Sequence, residues 1–350
     1  MTISAGSLLG SRALVTGHTG FKGAWLSATL KKFGADVFGL SLMPERGGIF
    51  EALTPVENKK SHIVDIRNRK KVRAVIQNIK PDFVFHLAAQ PLVAKSFVKP
   101  YDTFETNVMG TINLLQSVFE ILGSQTPCLV VTTDKVYRTM EGEIQQPHVE
   151  NDYLYGKDPY SLSKVSAETV VSAWRSIGME RVVSARSGNV IGGGDTSVGR
   201  LMPDILRNVF ENAELILRHP EATRPWQHVL DPIYGYVLYM RRIISKESFP
   251  TALNFGPDPL SITSVTQVLS FVEEILNKPI NFTTSNNSKF IETTNLTLDS
   301  SLASATLGWK NALTLKEAIE WTLVWESEKR NGSSHRCTDQ QISNYFERIG

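Results

Sequence analysis

A short apolar strand that runs straight into a glycine turn and then into an apolar helix restricts this chain more than any other feature. Ala13–Thr16 has the composition of a buried strand, Gly17-His18-Thr19-Gly20-Phe21-Lys22-Gly23 follows at once, and a helical apolar pattern covers Phe21–Phe33. The order G-x-x-G-x-x-G lets the backbone turn tightly. It also leaves main-chain N–H groups at the positive end of a helix, where a diphosphate binds. A strand that leads into a crossover helix calls for a parallel neighbour.

The following residues repeat that grammar. Strands are expected at Asp36–Leu40, Ile63–Val64, Phe83–Leu87, Leu129–Thr132 and Val182–Ala185, and helices at Asn68–Ile79, about 100–122 and about 159–177. The fold class is therefore α/β, a doubly wound parallel sheet of the Rossmann type. Residues 1–187 are expected to form the dinucleotide-binding domain and to carry the catalytic residues. Beyond Gly188 the pattern becomes irregular, with helices at Leu201–Phe210, Ile233–Ile244, Ser264–Leu276 and Leu315–Glu328. Residues 188–335 read mainly as a smaller α/β substrate lobe, with the possibility of strands or helices returning to the first domain. Residues 336–350 read as a C-terminal helix or tail, and the polar Thr283–Thr294 as a mobile loop.

Composition removes several function classes. Lys and Arg number 37 against 35 Asp and Glu, which is not the balance of a general nucleic-acid or membrane-surface binder. The two cysteines, Cys128 and Cys337, make neither a disulfide framework nor a paired metal spacing, so a reducing, cytoplasmic location and no metal are expected. No apolar run reaches bilayer length, and the first residues lack the basic start of an export signal.

Tyr160-Ser161-Leu162-Ser163-Lys164 places a tyrosine and a lysine one helical turn apart, so that the ammonium can stabilise a phenolate and hold a ribose hydroxyl. The end of the second strand, Leu40-Ser41-Leu42, lacks the acid that often grips an adenosine ribose. Arg46 nearby suits either a 2′-phosphate or solvent. Asp65-Ile66 suits either the adenine or the start of the next helix.

With the glycine turn and the Tyr160/Lys164 pair together, residues 10 to 330 resemble the extended short-chain dehydrogenase/reductase family. The resemblance implies tightly bound NAD held by Gly17, His18, Gly20, Phe21, Lys22 and Gly23, by Asp65 and Ile66, and by Leu87, Ala88, Ala89 and Gln90 of the Phe85–Gln90 segment. It also implies contacts from Asn107 of the Thr106–Thr111 segment, Thr132, Tyr160 and Lys164. The two long helices would pair with their copies in the four-helix bundle of a homodimer. Thr133-Asp134-Lys135, at the end of the fifth strand, resembles the acid-bearing segment of nucleotide-sugar 4,6-dehydratases. The Thr-Asp-Lys form with Gly17–Gly23 looks like the CDP-glucose 4,6-dehydratases, as do Arg186–Asp195 and Arg224–Asp231. Thr196 departs from that pattern, which has an aromatic residue there.

If so, Tyr160 takes the C4 hydroxyl proton of a CDP-hexose, Lys164 lowers its pKa, and Thr133 holds the C4 oxygen. Asp134 protonates the departing C6 hydroxyl, and Lys135 either serves at C5 or is an electrostatic partner of Asp134. Asn189, Arg200, Arg218 and Arg224 would hold the sugar nucleotide's diphosphate. For Arg218 and Arg224 an internal ion pair is the alternative. His228 would be either a substrate contact or a core histidine. The competing activities are a nucleotide-sugar 4-epimerase or reductase and a non-catalytic dinucleotide sensor.

Overall fold

Both faces of the central sheet are apolar, which is why its strands read as hydrophobic runs rather than as alternating patterns. The computed structural model describes residues 8–139, 146–257, 262–285 and 296–350. Its strands, in chain order, are β1 (Arg12–Thr16), β2 (Asp36–Ser41), β3 (Ser61–Ile63), β4 (Phe83–His86), β5 (Cys128–Val131) and β6 (Val182–Ser187). They continue with β7 (Asn189–Ile191), β8 (Ile216–Leu217), β9 (Thr223–His228), β10 (Ala252–Phe255), β11 (Ile262–Ser264) and β12 (Thr283–Thr284).

Seven of these form one parallel sheet in the order β3-β2-β1-β4-β5-β6-β10. The order reverses between β1 and β4, so a crevice opens at the carboxyl ends of those strands, where α/β sheets bind ligands. Ala13 and Val15, Phe83 and Phe85, Leu129 and Val131, and Val183 and Ala185 face the helices Phe21–Lys32, Leu230–Ile244 and Ser334–Ile349. The intervening Leu14, Val84, Val130 and Val182 face Arg69–Ile79, Gly110–Leu122 and Pro159–Ser176. Successive strand residues point to opposite faces, so one sheet fills two cores.

Four sequence expectations shift. The third strand is Ser61–Ile63 rather than Ile63–Val64, because its backbone pairs with Gly39–Ser41. The helix expected over 100–122 is interrupted by a π-helical turn at Glu105–Met109, between Pro100–Phe104 and Gly110–Leu122. Turns of that kind mark places where a side chain is pulled out of regular register. β10, only four residues long, comes from the second half of the chain and completes the sheet beside β6. Within the expected loop 283–294, Thr283–Thr284 is β12 and pairs with β8, and residues 286–294 lie outside the described residues.

A smaller sheet, β11-β9-β7, packs on the helices Leu201–Glu211 and Val265–Leu276 through Ile191, Trp226, Ile205 and Leu269. Because β7 follows β6 after the single residue Gly188, the two sheets meet directly at the carboxyl end of β6. Among the described residues no helix is long and apolar enough to cross a membrane.

Candidate active site

The turn after β1 is built for an anion. Gly17 has φ +74°, and a Cβ there would stand 2.8 Å from the Ala88 nitrogen; at Gly23 it would stand 2.1 Å from the Gly17 oxygen. Only glycine permits that approach. A Cβ on Gly20 would meet only the Gly17 oxygen, at 3.4 Å, so the outer side of the turn is open. The helix Phe21–Lys32 has Gly20 as its N-cap, no side-chain cap and no acid in its first turn, which leaves its first N–H groups to a ligand. A dinucleotide diphosphate fits this donor set.

The flanks of the turn are held by side chains. Leu87 and Ala88 each donate a backbone N–H to Thr16 Oγ1 at 3.2 Å. His18 Nε2 lies 2.7 Å from Ser61 Oγ, and its ring occupies the space that a Cβ on Gly39 would need. Burial lowers the His18 pKa to about 4, so the ring is neutral. Thr19 Oγ1 lies 2.7 Å from Ser41 Oγ. Asp65 is bound through both oxygens by Arg67, which lowers its pKa, while the Ile66 side chain is buried against the Gly110 backbone. The side chain of Ile66, expected at the cofactor, is thus part of the core.

The catalytic helix Pro159–Ser176 starts at a capping box between Asp158 and Ser161, with Pro159 in the first turn. Tyr160 therefore emerges in that turn and Lys164 one turn later. The Thr133 side chain acts on Tyr160 to lower its pKa, and Thr133 Oγ1 donates to Asp134 Oδ1 at 2.9 Å. Burial pushes the Tyr160 pKa up to about 12, opposed by the Thr133 hydroxyl and the Arg200 charge. Lys164 donates to the Val131 carbonyl at 3.1 Å, and burial lowers its pKa to about 8 against the pull of Glu168. Among the nearby charges, Arg200 lowers the phenol's pKa, and Asp134 and Asp158 raise it.

Asp134 and Lys135 share a 3₁₀ turn, Asp134–Val136, and diverge from it. Asp134 Oδ2 faces Gly188, where a Cβ would stand 3.0 Å away. Lys135 lines a small cleft with Tyr137, Lys157, Asp158 and Ser161. A second lysine occupies the centre. Lys22 Nζ donates to Ser187 Oγ at 2.8 Å and to Tyr236 OH at 3.3 Å, and those two hydroxyls are 2.8 Å apart. Burial lowers its pKa to about 7, with Arg200 and Lys164 acting the same way and Asp134 opposing them. Sequence reasoning placed Lys22 on the turn but missed Ser187 and Tyr236. Ser187 carried a signal in its position at the end of the sixth strand; Tyr236, inside an apolar helix, carried none.

Three of the expected cofactor contacts also brace the protein internally. Asn107, in the π-helical turn, accepts from Gln90 N at 2.8 Å and donates to Gln90 O at 3.1 Å and Ser163 Oγ at 2.8 Å. The Gln90 side chain bonds to Leu92 and Thr103, and Thr132 Oγ1 donates to Glu168 Oε1. These side chains join the β4 loop, the π turn and the catalytic helix. Ala89 follows Ala88 in the same loop and is half-buried.

On the smaller lobe, Asn189 opens β7 opposite Trp226 of β9. Arg200 Nη1 lies 3.5 Å from Asp195 Oδ2, and Arg218 donates to the Gly199 carbonyl at 3.3 Å, so both arginines border one loop. Arg224 is buried in β9. His228 is corrected to a core residue. Fully buried edge-on to Trp25 and Trp321, it has its pKa lowered by burial to about 3 and carries no charge for a diphosphate. Among the described residues no group of three or more His, Cys, Asp or Glu could hold a metal ion.

Residues 14–322 match the family model described as GDP-mannose 4,6 dehydratase. The chain is 38% identical to the CDP-glucose 4,6-dehydratase of Salmonella typhimurium, over 96% of each chain. It is 25% identical to the dTDP-glucose 4,6-dehydratase of Haemophilus influenzae, over 89% of this chain and 96% of that one. A UDP-glucose 4-epimerase from Stenotrophomonas maltophila, solved with NAD, has the same fold at TM-score 0.79 and 22% identity, covering 92% of this chain and 99% of that one. A dTDP-glucose 4,6-dehydratase from Bacillus anthracis, solved with NAD, superposes at TM-score 0.75 and 20% identity, covering 92% and 98%.

Proposed function

The chain belongs to the GDP-mannose 4,6 dehydratase family, and from that premise we propose that it is an NAD-dependent nucleotide-sugar 4,6-dehydratase acting on CDP-glucose. The observation that carries the reading is that Tyr160 stands beside Thr133, whose hydroxyl lowers its pKa and itself donates to Asp134. An alcohol oxidation needs only the tyrosine and the threonine. The carboxyl group beside them is what an elimination requires. The cytidine assignment rests on the 38% identity over nearly the whole of both chains.

NAD, when bound, supplies the acceptor for the C4 hydride and then the donor that returns it to C6. The turn Gly17–Gly23 holds its diphosphate, and Lys164 its ribose. Tyr160 removes the C4 hydroxyl proton as the carbonyl forms, with Thr133 holding the oxygen. The carbonyl acidifies C5–H, and Asp134 gives its proton to the C6 hydroxyl, which leaves as water. Lys135, one residue along the same turn, takes the C5 proton, directly or through a water, as water leaves, and returns it to C5 when hydride reaches C6. Arg200, Arg218, Arg224 and Asn189 meet the substrate diphosphate, a task suited to planar multi-donor groups. The product is CDP-4-keto-6-deoxy-glucose. The two free cysteines suit a reducing compartment, which supports a cytoplasmic enzyme.

Offering CDP-, dTDP-, GDP- and UDP-glucose separately and following the alkali-dependent absorbance of a 4-keto sugar tests this reading. CDP-glucose is expected to be consumed fastest. Preference for another base would overturn the cytidine assignment, and dehydration of none would overturn the activity.

Cofactor binding should be linked to protons. Lys22 stands at about 7, below an ordinary lysine, and an anionic diphosphate on the turn that carries it raises it in the complex. Groups whose pKa rises on binding favour the complex at low pH and lose that contribution as pH climbs. NAD affinity should therefore fall by about tenfold or more between pH 7 and pH 9. Calorimetry in buffers of different ionisation heat should register proton uptake; an affinity that is flat or rising over that window would contradict it.

Val98 at the end of the helix Val93–Val98, Tyr101, Phe104 and Met109 on the helical segment that follows, and Leu162 on the catalytic helix are exposed. Apolar side chains gathered on two neighbouring helices suit a homodimer closed by a four-helix bundle. Sedimentation equilibrium should give twice the chain mass, and Tyr101→Glu should shift it toward the monomer.

A further inference from the structure

One buried ion pair grips the catalytic turn at both of its ends. Glu168 lies one helical turn beyond Lys164, and Arg186 is in β6; both side chains are about 6% exposed. They meet through two hydrogen bonds, Arg186 Nε to Glu168 Oε1 and Arg186 Nη2 to Glu168 Oε2, each 3.0 Å. Glu168 also accepts from Thr132, the residue just before Thr133, and from Ser184 Oγ at 2.7 Å. Arg186 Nη1 donates to Tyr137 OH at 2.8 Å, and Tyr137 lies two residues after Lys135. Tyr137 OH in turn donates to Asn254 Oδ1 of β10 at 2.7 Å, and its ring stacks on His148 with centroids 4.8 Å apart. The Thr133-Asp134-Lys135 segment is therefore suspended between two side chains, Thr132 and Tyr137, tied to the same pair.

Burying such a pair costs desolvation, and similar volumes of apolar side chain stabilise a fold as well or better. Packing alone does not call for it. What the pair has that hydrocarbon lacks is direction. Its carboxylate and guanidinium fix the angles of both tethers, and a fully bonded buried network holds one arrangement. Glu168 also acts electrostatically on Lys164.

We propose that Glu168 and Arg186 are positioning residues for elimination: through Thr132 and Tyr137 they hold the turn so that Asp134 points past Gly188 toward the substrate. This rests on the dehydratase reading above. The two half-reactions give it content, because oxidation at C4 depends on Tyr160 and Lys164, on a helix with its own cap, and on only the first residue of the suspended segment, Thr133, whereas loss of water depends on Asp134 and Lys135 between the two tethers. Loosening one tether therefore slows elimination more than oxidation.

Tyr137→Phe is the test, since it keeps the ring on His148 and removes only the tethering hydroxyl; Thr132→Val releases the other end. The readout is single-turnover absorbance at 340 nm with CDP-glucose, beside the rate of product formation. Wild type should show no accumulated reduced cofactor, and wild type that forms no dehydrated product would remove the dehydratase reading rather than the tether. Each variant should build up reduced cofactor and form product about ten- to a hundredfold more slowly than wild type, the scale for a misplaced catalytic group, with C4 oxidation within about threefold of wild type in Tyr137→Phe and slowed less than elimination in Thr132→Val, beside Thr133. Parallel loss of both steps, or no change in either, would overturn the proposal. If Tyr137→Phe does not fold, Thr132→Val decides in the same way, and failure of both to fold would show the pair to be structural only.

Discussion

Tyr160→Phe should abolish turnover, lowering it by about 10³-fold or more, with no reduced cofactor formed at any time after mixing with substrate. The phenol is buried, and desolvation holds it at about 12. At neutral pH it is protonated, and it takes the C4 hydroxyl proton only from its phenolate form, which cations around it stabilise. Arg200 acts on it already, and Lys164 is one helical turn away on the same helix. Phenylalanine keeps the packing and removes the phenol oxygen that takes the proton. Stopped-flow absorbance at 340 nm together with product analysis checks this, and NAD affinity should change by less than about tenfold.

Asp134→Asn should separate the two halves of the reaction. An amide keeps the hydrogen bond from Thr133 Oγ1 but has no proton to give, so loss of water should slow by about 10²- to 10⁴-fold while C4 oxidation proceeds. The variant should accumulate reduced cofactor together with a 4-keto hexose that still carries its C6 oxygen. Equal loss of oxidation and elimination would remove Asp134 from the role of acid.

Legibility in the sequence followed locality. The turn Gly17–Gly23 and the pair Tyr160/Lys164 are each written within seven residues, and each depends on geometry that a strand–turn–helix or a single helical turn imposes. The alternating burial of Ala13, Leu14 and Val15 likewise follows from the pleat. What escaped depends on residues far apart in the chain. Lys22 reaches Ser187 and Tyr236, 165 and 214 positions away, so its arrival at the catalytic centre is a property of the sheet order. Asn107 and Thr132 belong to segments with the family's composition, but their side chains answer to Ser163, Gln90 and Glu168, which only the fold brings near. His228 sits in a polar-looking run, Arg224–Asp231, yet β9 turns it inward against two tryptophans. β10 is too short to stand out from the irregular second half, and its place in the main sheet is decided by pairing with β6.

The account's central claim is that Tyr160 and Asp134 serve successive steps of one redox-neutral reaction on one sugar. CDP-glucose carrying deuterium at C4 tests it most directly, with the product examined by mass and by the position of the label. The expected product has lost one water, carries the deuterium at C6, and forms without net reduced cofactor. Deuterium released into free reduced cofactor, or retained at C4 in a product of unchanged composition and inverted configuration, would contradict it.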